Sequence, residues 1–389
     1  MKLDLAIVSA KRTAIGTFMG SLKNISATEL GVISAKAALA DAGIPLETFA
    51  HSIYGNVCAV SSPDGIYLSR HIGLKAGLPQ IAGSLNVNRL CGSGFEALAQ
   101  AQSFSENGPC LVGGAENMSL APLILRGVRE GFKFAKPPAS IDSLWESLTD
   151  LYAGMAMGET AELLAKEHQI SREECDKWAM TSHHRATAEF NAGNLKSEIV
   201  PVAFGKDKVL DRDEHVRPDS SIEKLAKLGA VFGGVTTAGN ASGMNDAAGS
   251  MVVVRSSEAS KLSKKPMARV VGVVALGCDP KRMGLGPVKA IENLLSSLNW
   301  KMSDVDYLEV NEAFAAQVLA VKKLLKLSDE QLNPHGSGIS YGHPLGAIGA
   351  RISTHIAHLI SQGRAKRAIG SACIGGGQGI AVAFESFSA

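Results

Sequence analysis

The chain has 389 residues, 46% of them apolar, and sets 39 lysines and arginines against 37 acidic residues. That length allows two or three compact units with cores of their own, and the near-zero charge balance argues against a nucleic-acid binder or a protein held on membranes by charge. Nothing reaches the roughly 18 consecutive apolar residues of a membrane span, and MKLDLAIVSAKRT at the start has no secretory h-region.

Short apolar runs alternate with helical patterns through the first 120 residues: LAIVSA, SATELGVISAKAALADAG, IYGNV, SLNVN, CGSGFEALAQAQ and CLVGGAE. This is the signature of an α/β protein. Ser26 with Glu29 three residues on forms a capping box, Leu30, Ile33 and Ala37 line one face, and Gly43 stops the helix. Cys91 stands at the mouth of the next helix, where the positive end of the helix dipole and free N–H groups favour a thiolate. Gly92 and Gly94 leave the backbone open to a substrate. Cys91 is therefore a candidate nucleophile; packing between strand and helix is the alternative.

From about 120 to 248 the pattern changes, with LRGVREGFKFAKPPAS, a helical run from Met157 to Glu167, another opening at Ser171 with Glu174, and irregular polar chain. This reads as an inserted domain. The alternation resumes with MVVVR and ARVVGVVAL. The expected division is residues 1–119 with 249–268 as a first half, 120–248 as the insertion, and 269–389 as a second half.

Beyond residue 300, VDYLEVNEAF places Asn311 and Glu312 after a strand, where an amide can hold a water or an oxyanion, or cap structure. GISYGHPLGAIGA sets His343 before Pro344, a residue suited to a first helical turn, which makes His343 a candidate general base. SACIGGGQGIAVAF puts Cys373 at the end of a buried strand; another strand pattern follows, so the glycines do not fit a dinucleotide fingerprint. His183 with His184, and His355 with His358, read as surface or core histidines and not metal ligands. The six cysteines show no CxxC pair, as expected of reduced thiols inside a cell, and the C-terminal FSA is not a peroxisomal address. A weak internal repeat aligns GNV with VNEAF, Cys91 with His343, and CLVGGAE with SACIGGG. Two such copies facing each other bring a thiol and an imidazole to one crevice.

Together NRLCGSG, VNEAF, YGHPLG and CIGGGQG resemble the four active-site signatures of the thiolase family, in order and spacing along the whole chain. TAGNASGMND and DEHVRP resemble its coenzyme A segments, and SLTD, ISREECDK, GCDP and GPVKAI resemble mitochondrial medium-chain members. The resemblance implies a five-layered αβαβα fold of two duplicated halves, usually in a homodimer or homotetramer, with no permanently bound cofactor and no metal. Coenzyme A and acyl-CoA are then substrates of 3-ketoacyl-CoA thiolysis. It further implies that Cys91 is acylated, His343 activates it, Cys373 exchanges the substrate α-proton, and Asn311 holds a water. The N–H groups of Cys91 and Gly375 would form one oxyanion hole. Ser242, with Met157, Leu228, Phe232 and Ala238, would surround pantetheine and adenine, and Arg217 would meet the nucleotide. The same residues serve acetoacetyl-CoA synthesis, and a non-catalytic coenzyme A-binding subunit is a third reading. Departures from the family pattern are His335, Ser337, Ser340 and Tyr341 before the histidine, and Ala156 before Met157, which favours longer chains. Location in the mitochondrial matrix, or alternatively the cytosol, follows from the resemblance.

Overall fold

In the computed structural model, which describes residues 1–387, one sheet organises the chain. Its main strands are β1 (Lys2–Thr13), β2 (His51–Gly55), β3 (Gly83–Val87), β4 (Cys110–Asn117), β5 (Asn245–Arg255), β6 (Ala268–Gly277), β7 (Tyr307–Val310), β8 (Arg367–Ile374) and β9 (Gln378–Glu385). They are hydrogen-bonded in the order β7-β8-β9-β6-β1-β5-β4-β2-β3. The first half runs antiparallel from β1 to β5 to β4, then parallel to β2. The second repeats this: β6 to β9 to β8 antiparallel, then β7 parallel. Lys2–Ile7 pairs with Ala268–Gly272 and joins the halves. Because Gly55 pairs with Gly114 as Val310 pairs with Ser371, the register makes Asn56 the counterpart of Asn311, and Glu116 the counterpart of Cys373.

Helices complete the layers. They are α1 (Ala27–Ala42), α2 (Leu68–Ala76), α3 (Ser93–Phe104), α4 (Met157–Glu167), α5 (Arg172–Asn191), α6 (Gly286–Leu298), α7 (Ala315–Leu325) and α8 (Ile348–Ser361). α1 and α2 cover the outer face of the first half, α6 covers that of the second with α7 beside it, and α3 and α8 lie between the halves, giving a five-layered αβαβα fold. Burial on both faces is why β4 and β8 read as unbroken apolar runs. The central core mixes Phe95 and Leu98 of α3 with Ile352 and Ile356 of α8. Gly94 and Gly349 allow the two helices to approach backbone to backbone; a Cβ on Gly94 would overlap the Ala350 nitrogen.

Local signals act as their chemistry requires. Ser26 and Glu29 exchange hydrogen bonds at the start of α1, and Gly43 ends it at φ 65°. Ser171 and Glu174 do the same for α5. Residues 118–244 wrap over one end of the sheet and are tied down by buried charge. Arg12 of β1 donates to Asp213 at 2.7 Å and to Glu198 at 2.8 Å, and burial of the guanidinium is outweighed by these two carboxylates, which raise its pKa. No helix among the described residues is long and apolar enough to cross a membrane.

Candidate active site

Three elements from two halves meet in one cleft of about 270 Å³ that is lined by Cys91, His343, Cys373 and Gly375. Cys91 precedes Gly92, the residue that caps α3, and follows Leu90, which is held at φ 46°. The left-handed turn aims the thiol away from the sheet and into the cleft. Its sulfur receives the N–H of Gly375 and its own N–H, which favour the thiolate, but burial dominates and, with Glu116 nearby, pushes the pKa up to about 11. Helix-tip stabilisation alone thus does not ionise the resting thiol.

His343 sits on a turn fixed from several sides. Its N–H donates to Asn245 Oδ1 at 2.9 Å, and Gly342, at φ 106°, passes where a side chain would overlap Asn245. The Asn311 amide lies 3.4 Å from both ring nitrogens. Burial, reinforced by the positive charge of Arg351, lowers the imidazole to about 4, so it is neutral and able to accept a proton. Arg351 itself is buried against Glu309. Pro344, expected in a first helical turn, instead has extended backbone at ψ 104°; a short turn at Leu345–Ala347 intervenes and α8 begins at Ile348. His343 therefore stands in a loop and not at a helix tip.

Cys373 occupies the penultimate position of β8, and burial holds its thiol well above the ordinary value, with Cys91 adding to the effect. Around it pack Met157, Met283, Ala313 and Phe314, whereas Cys91 is bordered by Met118, Leu148 and Leu345. Asn311 lies behind His343, fully buried, and its Oδ1 has no protein partner. Such an atom can accept a hydrogen bond from a water.

Met157, Phe232, Ala238 and Ser242 line the same cleft as the thiols. Phe232 lies against Gly158, where any Cβ would overlap the ring. Arg217 and Leu228 do not line that cleft; they border an adjoining one with His183, His215 and Lys224, which shares Ala238 and Ala241 with the first. The first cleft is mainly apolar, and the adjoining one carries the basic side chains Arg217 and Lys224. Sequence reading missed Trp145 and Leu148, which reach the cleft from the insertion, and Met244, Phe314 and Asn245. It also missed Glu116, whose sequence signal is an acid ending the apolar run CLVGGA. Of the histidines set aside, His355 hydrogen-bonds His335 at 2.9 Å and Glu198 at 3.0 Å, forming a buried chain away from the cleft.

Residues 5–257 match the model described as thiolase, N-terminal domain, and residues 264–386 that of the thiolase C-terminal domain. The chain is 45% identical over 388 residues to the human protein named 3-ketoacyl-CoA thiolase, mitochondrial, covering 98% of each. It is 40% identical to an acetyl-CoA acetyltransferase of Chromobacterium violaceum, over 98% of this chain and all of that one. Among solved structures, human mitochondrial 3-ketoacyl-CoA thiolase in complex with CoA superposes with a TM-score of 0.96 at 44% identity, over 99% of both chains.

Proposed function

The chain belongs to the thiolase family of acyltransferases, and on that premise we propose that it cleaves 3-ketoacyl-CoA with coenzyme A, by a ping-pong route through Cys91, in fatty-acid degradation. The observation that carries the reading is the single cleft onto which Cys91, His343, Cys373 and Gly375 all open.

The reaction follows from that grouping. His343 takes the Cys91 proton as the sulfur attacks the 3-keto carbon. The bond between the α- and β-carbons breaks, its electron pair moves to the α-carbon as an enolate, and Cys373 protonates that carbon to give acetyl-CoA. The acyl group remains on Cys91 as a thioester. Incoming coenzyme A gives its thiol proton to the Cys373 thiolate and attacks the thioester; Cys91 leaves and recovers its proton from His343. Two oxyanions arise and need separate donors. The N–H groups of Cys91 and Gly375, which already converge on the sulfur, serve one, and His343 with a water on Asn311 serves the other.

In this reading Met157, Phe232, Ala238 and Ser242 hold pantetheine, Leu228 the adenine side, and Arg217 a phosphate through its planar fork. The division into residues 1–119 with 249–268, 120–248 and 269–389 belongs to the same proposal, although β5 starts at Asn245, inside the insertion so defined. Exposed Ile81, Phe132, Phe134, Leu151 and Tyr152 support a homodimer or homotetramer. The matrix, with the cytosol as alternative, is the proposed compartment by likeness to the mitochondrial relative.

Condensation of two acetyl-CoA units is the second reading, favoured by the relative named acetyl-CoA acetyltransferase. Trp145 and Leu148 on the cleft wall, and Ala156 beside Met157, favour the longer-chain substrate. Steady-state thiolysis of acetoacetyl-CoA and of an eight-carbon ketoacyl-CoA separates the two. A higher kcat/KM on the longer substrate is expected; clear preference for acetoacetyl-CoA overturns the degradative assignment.

A further inference from the structure

We infer that Glu116 is a positioning residue, whose carboxylate ties the turn carrying His343 to the strand end beside Cys91 and thereby sets the two reacting groups against each other. The inference rests on the acyl-transfer reading above. Glu116 lies in β4, fully buried, at the place that Cys373 occupies in the other half. Its Oε1 accepts from Asn56 Nδ2 at 2.8 Å and from the N–H of Cys58 at 3.0 Å. Oε2 accepts from the N–H of Val57 at 3.0 Å and from that of Gly346 at 2.8 Å. Three of these donors belong to the loop after β2, and the fourth to the turn of His343, three residues along from the imidazole.

This arrangement requires a carboxylate. Each oxygen faces two donors, so a proton on either one would point at an N–H group. A glutamine would present its own N–H₂ to two of the four. Burial, with Asp246 adding to it, pulls the other way and raises the pKa to about 7, while the backbone donors hold it down. Gly346 completes the clamp: any side chain there would press on Asn56 and on the Glu116 carboxylate. The Gly346 N–H, in the short turn that precedes α8, is thereby satisfied across the interface between halves.

The titratable groups facing Cys91 are Glu116, with Asp246 behind it, from the first half, and Cys373 and His343 from the second. Glu116 therefore has two separable effects: it sets the His343 turn, and its negative charge disfavours the Cys91 thiolate. Glu116→Gln removes both. Glu116→Asp keeps the charge but shortens the reach to the donors.

Two readouts on each variant test this: the rate of the acyl-enzyme burst with an eight-carbon ketoacyl-CoA, and the pH dependence of Cys91 alkylation by iodoacetamide. A displaced catalytic group costs on the order of 10- to 100-fold, so both variants should lose that much burst rate while KM for coenzyme A stays within about twofold. In Glu116→Gln alkylation of Cys91 should shift to lower pH; in Glu116→Asp it should keep the wild-type profile. A burst rate for Glu116→Gln within about twofold of wild type overturns the inference. So does a loss in Glu116→Asp accompanied by alkylation of the buried Cys58, Cys110 and Cys175, which marks general loosening. If wild-type enzyme forms no burst at all, the acyl-transfer reading fails instead.

Discussion

Gly94→Ala probes the contact on which the site's geometry depends. A Cβ at this position would overlap the backbone nitrogen of Ala350 and lie 3.0 Å from the carbonyl carbon and 3.1 Å from the Cα of Gly349. Carbon atoms pack comfortably at about 3.5–4.0 Å, so the helices must part by roughly 0.5–1 Å. The obstacle is backbone, which no change of rotamer can move aside. Strain of this kind costs about 1–3 kcal/mol of stability. Parting α3 from α8 also separates Cys91 from His343, and a displacement near 1 Å costs on the order of 100-fold in turnover. Denaturant unfolding and steady-state thiolysis should therefore show both losses, with turnover reduced far beyond the fraction unfolded. Gly229, which has open space around it and an ordinary φ, is the control and should tolerate alanine. Wild-type turnover and stability in Gly94→Ala would refute the claim that close helix approach positions the reacting groups.

Three further outcomes follow from the same geometry. With Glu116 raised to about 7, wild-type kcat/KM should fall below pH 7 as that carboxylate is protonated, while Glu116→Gln should lose this limb and keep only the one that His343, held near 4 by burial, sets well below 6.5; initial rates of both from pH 4.5 to 8 check this, and a limb near 6.5 that persists in Glu116→Gln contradicts it. His183 and His215 are likewise lowered by burial, to about 3 and about 4, so below pH 6.5 the unfolded chain binds more protons than the folded one. Unfolding free energy from urea titrations should be nearly flat between about pH 7 and 8, fall at higher pH as the thiols that burial keeps protonated ionise in the unfolded chain, and fall as pH drops from 6.5 toward 4; a flat profile down to pH 5 would count against it. Arg217→Ala should raise KM for coenzyme A by roughly 10- to 150-fold, with kcat little changed and the effect weakening at high salt, because a charged hydrogen bond contributes about 1.5–3 kcal/mol. Unchanged KM would remove Arg217 from the nucleotide contact.

How much was legible in the sequence depended on whether a feature is local. Ser26 with Glu29, Ser171 with Glu174 and Gly43 set helix ends through bonds within one turn, and the structure places those ends where the sequence reading does. The alternation of strand and helix carried the α/β class, and the likeness of GNV to VNEAF reflects strands that take the same place in their half-sheets, whereas the register sets CLVGGAE against RAIGSAC, four residues before the SACIGGG with which the repeat aligned it. Cys91, His343 and Cys373 were found because each stands beside glycines in a short local pattern, although only Cys373 lies in a strand. The turn of His343 was misjudged because Pro344, though suited to a first helical turn, is extended here and a short turn at Leu345–Ala347 precedes α8, which no local pattern announces. Trp145 and Leu148 were missed because they lie far in sequence from the residues they join on the cleft wall, and no local pattern marks them. Leu228, which the sequence reading grouped with Phe232, instead borders the adjoining cleft together with Arg217.

The most direct measurement is peptide mass spectrometry of the full chain after brief incubation with acyl-CoA and acid quench. The account predicts one acyl adduct, on Cys91, retained in Cys373→Ala and lost on addition of coenzyme A. An unmodified Cys91, or an adduct on another of the six cysteines, would contradict it.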